Sequence, residues 1–215
     1  MKPTGFFINL HKALVIPVTV AAMVTFANYG TIVWLYLAMH GTYSILWLIK
    51  GRTYPDRRFA EPVAIWIGIV FVFLPLAGYY AAPILLAWLK PDVPGYAVCI
   101  GVTFYVFGIF LHYVSDAQKY YTLRVRPGLI EDGLFTYTRN PNYLGEILTY
   151  LGFAVISWNP IPFLVNAAWI FGFFVRNMIK KDRTMTHHPG FAAYKARTGL
   201  LFPRLRPASV AAQGN

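Results

Sequence analysis

The chain has 215 residues, of which 57% are apolar, 18% aromatic and only 13% charged, whereas a soluble domain carries about 25% charged residues. That length fits one domain or a compact two-part bundle, the charge is too sparse to cover a soluble surface, and a single cysteine excludes a disulfide framework. A formal charge of +11 would suit a polyanion, but its distribution along the chain argues against a nucleic-acid partner.

Apolar runs at roughly Lys12–Asn28, Thr31–Ile49, Val63–Leu89, Tyr96–Val114, Tyr143–Ser157 and Pro160–Ile179 mostly reach the ~20 residues that a 30 Å hydrocarbon core demands. They predict an all-α, polytopic transmembrane helical bundle of about six spans. Asn28-Tyr29-Gly30 turns the first run into the second as a helical hairpin. The first run reads as a retained helix and not a cleaved signal peptide, because its apolar stretch is long and no small-residue cleavage site stands out. A polar loop follows the second run, and Lys90-Pro-Asp-Val-Pro-Gly95 is the next break. The fourth run continues as a helix through His112, Ser115, Asp116 and Lys119 until Arg126-Pro-Gly stops it, and its Cys99 is expected as a small core residue. Trp158-Asn-Pro-Ile-Pro162 joins the short fifth run to the sixth as a tight hairpin with an interfacial tryptophan. The tail from Lys180 to Arg206 is basic and amphipathic, which places it on the membrane surface, and 207–215 reads as disordered.

The basic residues sort by side. Lys2 and Lys12 precede the first run, Lys50, Arg52, Arg57 and Arg58 follow the second, Lys119, Arg124, Arg126 and Arg139 follow the fourth, and the rest lie at the end of the sixth and in the tail. Of all 19 lysines and arginines, only Lys90 falls on the other side. This bias predicts that both termini are cytoplasmic, with the basic face against anionic lipid.

Polar groups inside spans are functional candidates by default. Glu146 leads. Arg139-Asn-Pro-Asn-Tyr143-Leu-Gly reads as a helix start, with Asn140 as cap and Pro141 at the first helical position. Asn142, Glu146 and Thr149 then form a polar stripe, and Gly145 and Gly152 form another where a helix or ligand backbone could come close. Glu146 could alternatively pair with Arg139 or a nearby lysine. Ser115-Asp116-Ala-Gln118-Lys119, with Arg124, is a second set, in which Asp116 and Lys119 are neighbours on one face, as they would be at an ordinary solvated helix end. Arg176 and Lys180 share a face as a phosphate-binding pair or as snorkelling cations. Tyr36, His40 and Tyr43 form a stripe facing the bundle, with His40 read as a buried, hydrogen-bonded histidine. His187-His188 is not a metal site, since adjacent side chains diverge and no further ligands complete a set. Cations for phosphates and polar groups for hydroxyls or rings thus gather on the basic side, beside a mouth open to lipid. Such a concave interface between helices suits a soluble cofactor and an apolar small-molecule substrate.

Asp132-Gly-Leu-Phe-Thr-Tyr-Thr-Arg139-Asn-Pro-Asn-Tyr-Leu-Gly-Glu146 resembles the signature of the superfamily of steroid 5-alpha-reductases, sterol reductases and isoprenylcysteine carboxyl methyltransferases, over roughly 108–203. Gly145-Glu146, Ser115–Lys119 and Lys181-Asp182 are similar to the reductase branch, whereas methyltransferases carry a Glu-Glu pair after the last span. The resemblance implies a division into 1–107, a substrate-side set of helices, and 108–206, a cofactor-binding membrane domain. It implies NADPH as cofactor, with S-adenosylmethionine as the alternative. Lys119 and Arg124 would meet phosphates, with Asp116 and Arg176 beside them; Asn140, Asn142, Tyr143, Glu146 and Asp182 would hold the ribose and nicotinamide ends; Arg139 would close the core. Hydride would reach an activated carbon–carbon double bond of a steroid- or isoprenoid-like substrate; a nearby acid must supply the proton, and Tyr43 and Tyr150, with His40 behind them, are the candidates, none of them matched to a family motif. A methyltransferase or a non-catalytic lipid-binding protein are the other functions this reading leaves open.

Overall fold

A computed structural model describes residues 1–204; Arg206 and the tail expected to be disordered, 207–215, lie outside the described residues. The chain is a helical bundle. Its main helices are α1 (Thr4–Thr25), α2 (Thr31–Thr53), α3 (Ile65–Leu89), α4 (Gly95–Val125), α5 (Pro141–Ser157), α6 (Pro160–Met185) and the short α7 (Phe191–Arg197). Two-residue strands, β1 (Lys2–Pro3) and β2 (Pro62–Val63), pair antiparallel and tie the N-terminus to the segment before α3. Five helices, α1 to α4 and α6, are long and apolar enough to cross a membrane. The chain is therefore an integral, multi-pass membrane protein.

α5 differs from these five. Its 17 residues extend about 26 Å at 1.5 Å per residue, a little short of a typical hydrocarbon core. Most of its side chains are buried, including Leu144, Ile147, Tyr150, Phe153 and Ile156. It is the axis of the bundle, and α1, α2 and α3 pack toward it with Tyr36, Tyr43 and Tyr79 in one aromatic core. The boundary at 107/108 falls inside the unbroken helix α4, and α2 contacts α5 across it.

Glycines decide how α4 and α5 meet. A Cβ on Gly108 would fall 2.5 Å from the Thr149 backbone nitrogen, and one on Gly152 would fall 2.6 Å from the Gly101 carbonyl oxygen. Gly101 and Gly108 are seven apart on one helix, as are Gly145 and Gly152 on the other, so two smooth faces run antiparallel with the backbones touching. This is the close approach expected at Gly145 and Gly152, and it also explains Cys99. The inward face of α4 follows Ala97, Gly101 and Gly108, so Cys99 sits outside, exposed, and not in the core.

Other departures from expectation have local causes. α1 starts at Thr4, not at Lys12, because Phe6, Phe7, Ile8 and Leu10 continue the apolar pattern upstream. Lys12 is therefore inside the bundle, not beside it. Near Pro75, which has no N–H to give, α3 widens into a π turn over Ile69–Phe73 and tightens over Gly78–Tyr80. α6 has a similar π turn over Ile170–Phe174. The basic tail is not a free surface helix: α7 buries Phe191 and Tyr194, and the Tyr194 hydroxyl donates to the Phe135 carbonyl at 2.9 Å.

Replacing Gly145 by valine should force α4 and α5 apart and destabilise the bundle by at least the ~1–3 kcal/mol of an overpacked core. Gly172→Ala, where a new Cβ meets nothing within 4 Å, should be silent. Thermal unfolding in detergent compares the two.

Candidate active site

At the basic end of the bundle, α2, α4 and the segment after α2 enclose a cavity of about 480 Å³ whose wall includes Lys50, Asp56, Arg57, Asp116, Lys119 and Arg124. Its two acids are already paired. Asp116 pairs with Lys50, across from α2, and not with Lys119, its neighbour on the same face one turn on. Lys50 is the nearer solution because both it and Asp116 are largely shielded from water, where an unpaired charge is costly. Asp56 binds Arg58 through its side chain at 2.5 Å and its backbone N–H at 3.0 Å. Burial alone would raise the Asp56 carboxyl, but the Arg58 bonds and charge outweigh it and hold it at about 2. Tyr54, in the same segment, is pushed up to about 12 by burial and by the Asp116 charge. Arg57, Lys119 and Arg124 have no acidic partner among the described residues; Arg124 donates to the Tyr120 hydroxyl at 3.1 Å and lies over the same ring. The wall therefore offers three cations to an anionic ligand.

Below the cavity the polar groups continue inward. His112 Nδ1 donates to the Asn142 carbonyl at 3.2 Å, and since a carbonyl only accepts, Nε2 is left to accept from Lys50 Nζ at 3.4 Å. Deeper lies Lys12, 2% exposed, whose ammonium donates to the Tyr150 hydroxyl at 2.6 Å and stands 4.2 Å from the centre of the Tyr43 ring. Glu146 is half-buried, and the charges acting on it are Lys12, Lys50 and Asp116. Glu146, Tyr43 and Tyr150 are thus brought together, with His40 sharing a 2.9 Å hydrogen bond with Tyr36. Sequence reasoning missed Lys12 and Lys50 as members of this cluster. It counted both as flanking charges, although a lysine preceded by a turn of apolar residues, as Lys12 is, already signals a position inside the helix.

Arg139, Asn140 and Asp182 also meet, but in a clamp on the C-terminal segment. The Arg139 guanidinium forks onto Asp182 at 2.9 and 3.1 Å and donates to the Thr198 carbonyl at 2.7 Å. Asn140 stands at the cap position of α5, yet its side chain does not cap the helix. It donates to the Leu200 carbonyl at 2.8 Å and accepts from Lys181 at 3.0 Å, because Gly199 and Leu200 run alongside Thr138–Asn140. These polar groups are committed to protein partners and not turned to the cavity. Tyr143 packs on Phe174 at 5.1 Å, Asn142 uses its carbonyl, and Arg176 is exposed at the surface, outside the cavity wall.

Asp182→Asn would leave the Arg139 charge buried without its counter-ion, and should lower stability by about 3–5 kcal/mol. The effect should appear as a fall in thermal midpoint that no ligand of the cavity restores.

Residues 31–198 match the family described as "Protein of unknown function (DUF1295)", and the chain belongs to that family. Among curated proteins it is similar to 3-oxo-5-alpha-steroid 4-dehydrogenase 2 of Macaca fascicularis, 31% identical over 137 residues, covering 60% of this chain and 49% of that protein. The protein of the same name from Rattus norvegicus is 32% identical over 145 residues, covering 63% and 50%, and that from Homo sapiens is 31% identical over 137 residues, covering 60% and 49%. The chain thus spans about half the length of the curated relatives it matches. No solved structure matches it.

Proposed function

We propose that this family member is a membrane reductase that uses NADPH to saturate an activated carbon–carbon double bond in a hydrophobic, steroid- or isoprenoid-like molecule. The names of the relatives supply the reaction type. The observation that carries the reading is the continuity of two sites: a cavity whose three cations have no acidic partner among the described residues, and beneath it a largely buried cluster of one carboxylate, two phenols and a lysine, joined by Lys50, which lines the first and reaches His112, itself bonded to the Asn142 carbonyl one turn before Glu146.

The fit to a dinucleotide rests on that donor set. Phosphates need cations not already neutralised, and Arg57, Lys119 and Arg124 qualify. Bound there, the cofactor would supply a hydride. The chain's own residues do the rest: Arg57, Lys119 and Arg124 hold phosphates, Glu146 orients the polar ring end, and Tyr150 or Tyr43 gives a proton to the carbon next to the one that receives the hydride. Aromatic walls keep water from that cluster. Orientation follows from the charges, with the basic end, where the cavity opens, in the cytoplasm that holds NADPH.

NADPH should bind the detergent-purified protein with a strong salt dependence, and Lys119→Ala or Arg124→Ala should each weaken it roughly ten-fold, near the low end for charged hydrogen bonds. Tight binding of S-adenosylmethionine with no NADPH binding would overturn the reading in favour of methyl transfer. Glu146→Gln should weaken NADPH binding or turnover by about 10–100-fold, the range of a charged hydrogen bond; an unchanged rate would remove Glu146 from the site.

A further inference from the structure

Arg176, Lys180 and Arg183 take no part in the site described above. All three lie in the last stretch of α6, Val175–Met185, and are exposed. Spacings of four and three residues place them on one helix face. The opposite face of the same turns buries Met178 and Asp182, the latter being the partner of Arg139. No carboxylate pairs with any of the three among the described residues, and the chain has no Asp or Glu beyond Asp182. Deeper along α6 the exposed side chains are apolar, Phe171 and Phe173, and Ile179 is exposed beside Lys180.

Depth sets Arg176 apart. α6 begins at Pro160, just after the turn that carries Trp158. At 1.5 Å per residue Arg176 lies about 24 Å along the axis, about 6 Å short of the far edge of a hydrocarbon core of roughly 30 Å. An ionised side chain at such a depth normally faces the bundle interior and a partner there. Arg176 faces outward, with no carboxylate beside it among the described residues. Snorkelling runs against the geometry of the helix. Cα–Cβ bonds tilt toward a helix's N-terminus, and α6 starts at the end of the bundle opposite the basic one. The Arg176 stem therefore leaves the backbone toward the middle of the bilayer, away from the water at the basic end. A counter-ion drawn down from the lipid headgroups satisfies the guanidinium instead. We propose that Arg176, Lys180 and Arg183 form a binding site for one anionic phospholipid, with its phosphate forked by Arg176 and flanked by Lys180 and Arg183, and an acyl chain along Phe173. A guanidinium presents paired N–H donors that match phosphate oxygens. In a zwitterionic lipid the phosphate is already neutralised by its own ammonium, so three cations select a lipid of net negative charge. The lipid grips the outer face of the helix turns whose inner face holds the Arg139 clamp.

Native mass spectrometry of the full chain, released from micelles with equal amounts of phosphatidylglycerol and phosphatidylcholine, reads the site directly. Wild-type protein should keep one phosphatidylglycerol molecule in preference to phosphatidylcholine, and added phosphatidylglycerol should raise its thermal midpoint in detergent. Arg176→Gln should lower phosphatidylglycerol affinity at least ten-fold, in the range of a charged hydrogen bond, and abolish the rise in midpoint. Arg52→Gln removes an exposed charge from the basic end of α2 and is the control. Diffuse attraction to an anionic surface is worth only about five-fold per cation and would cost both variants the same. Equal losses in Arg176→Gln and Arg52→Gln would therefore overturn the site. Equal retention of the two lipids by wild type, a comparison that needs no variant, would overturn it as well. Displacement of the lipid by millimolar inorganic phosphate would overturn it by assigning the three cations to a soluble anion.

Discussion

The polar chain from His112 to Glu146 is placed by a contact that is not polar, the meeting of α4 and α5 at Gly101, Gly108, Gly145 and Gly152. In lipid there is no hydrophobic gain in pushing two helices together, so close approach has to come from small residues that let backbones touch. Once Gly108 lies against Gly145, His112 one turn along α4 falls beside the first turn of α5, and its Nδ1 meets the Asn142 carbonyl. That bond fixes which nitrogen carries the proton. Nε2 then accepts from Lys50, Lys50 neutralises Asp116, and Glu146 lies within reach of both lysines. A pair of smooth helix faces thus sets the protonation pattern of the whole site.

The same logic governs the buried charges. Each cation in the bundle is held by groups from distant parts of the chain: Lys12 by Tyr150, Lys50 by Asp116, and Arg139 by Asp182 and Thr198. Removing one member leaves the other in a poor dielectric, so these contacts lock the order of the helices as much as they stabilise it. Arg139 does this for the C-terminal segment, Lys50 for α2 against α4, and Lys12 for α1 against α5. Lys12 has the fewest hydrogen-bond partners of the three among the described residues, one against two for Lys50.

Much of this was legible in the sequence. The helical bundle follows from apolar runs and their punctuation, and Gly145, Gly152, Glu146 and the stripe of Tyr36, His40 and Tyr43 are marked by spacing alone. What spacing could not supply was partners. Asp116 and Lys119 look paired because i,i+3 neighbours are visible in one dimension, whereas Lys50, 66 residues away, is not. Arg139 and Asp182 are offered as cofactor contacts by the resemblance, and their pairing with each other, like the return of the chain at Gly199 and Leu200 beside them, leaves no local trace. Lys12 was obscured by the charge-bias argument itself, which assigns every lysine near a span end to water unless the apolar pattern is followed upstream of it.

A membrane reductase has a geometric difficulty that a soluble one lacks: its two reactants come from different solvents. The cofactor is dissolved in water and the hydrocarbon in lipid, so one opening cannot serve both well. Two cavities of similar size meet at the basic end here and share Lys50, Tyr54, Pro55 and Asp56 as a wall. One is lined by Arg57, Lys119 and Arg124, the other by Phe6, Trp47 and Phe59, so one is charged and the other aromatic. The dividing segment is pinned by Asp56 on Arg58, a pair that the lowered pKa of Asp56 keeps charged across the neutral range. In the proposed reaction the wall must bring the two ligands to a common point without letting their solvents mix, and Lys50, one of the four residues that line both cavities, is bonded to His112 and Asp116 behind it.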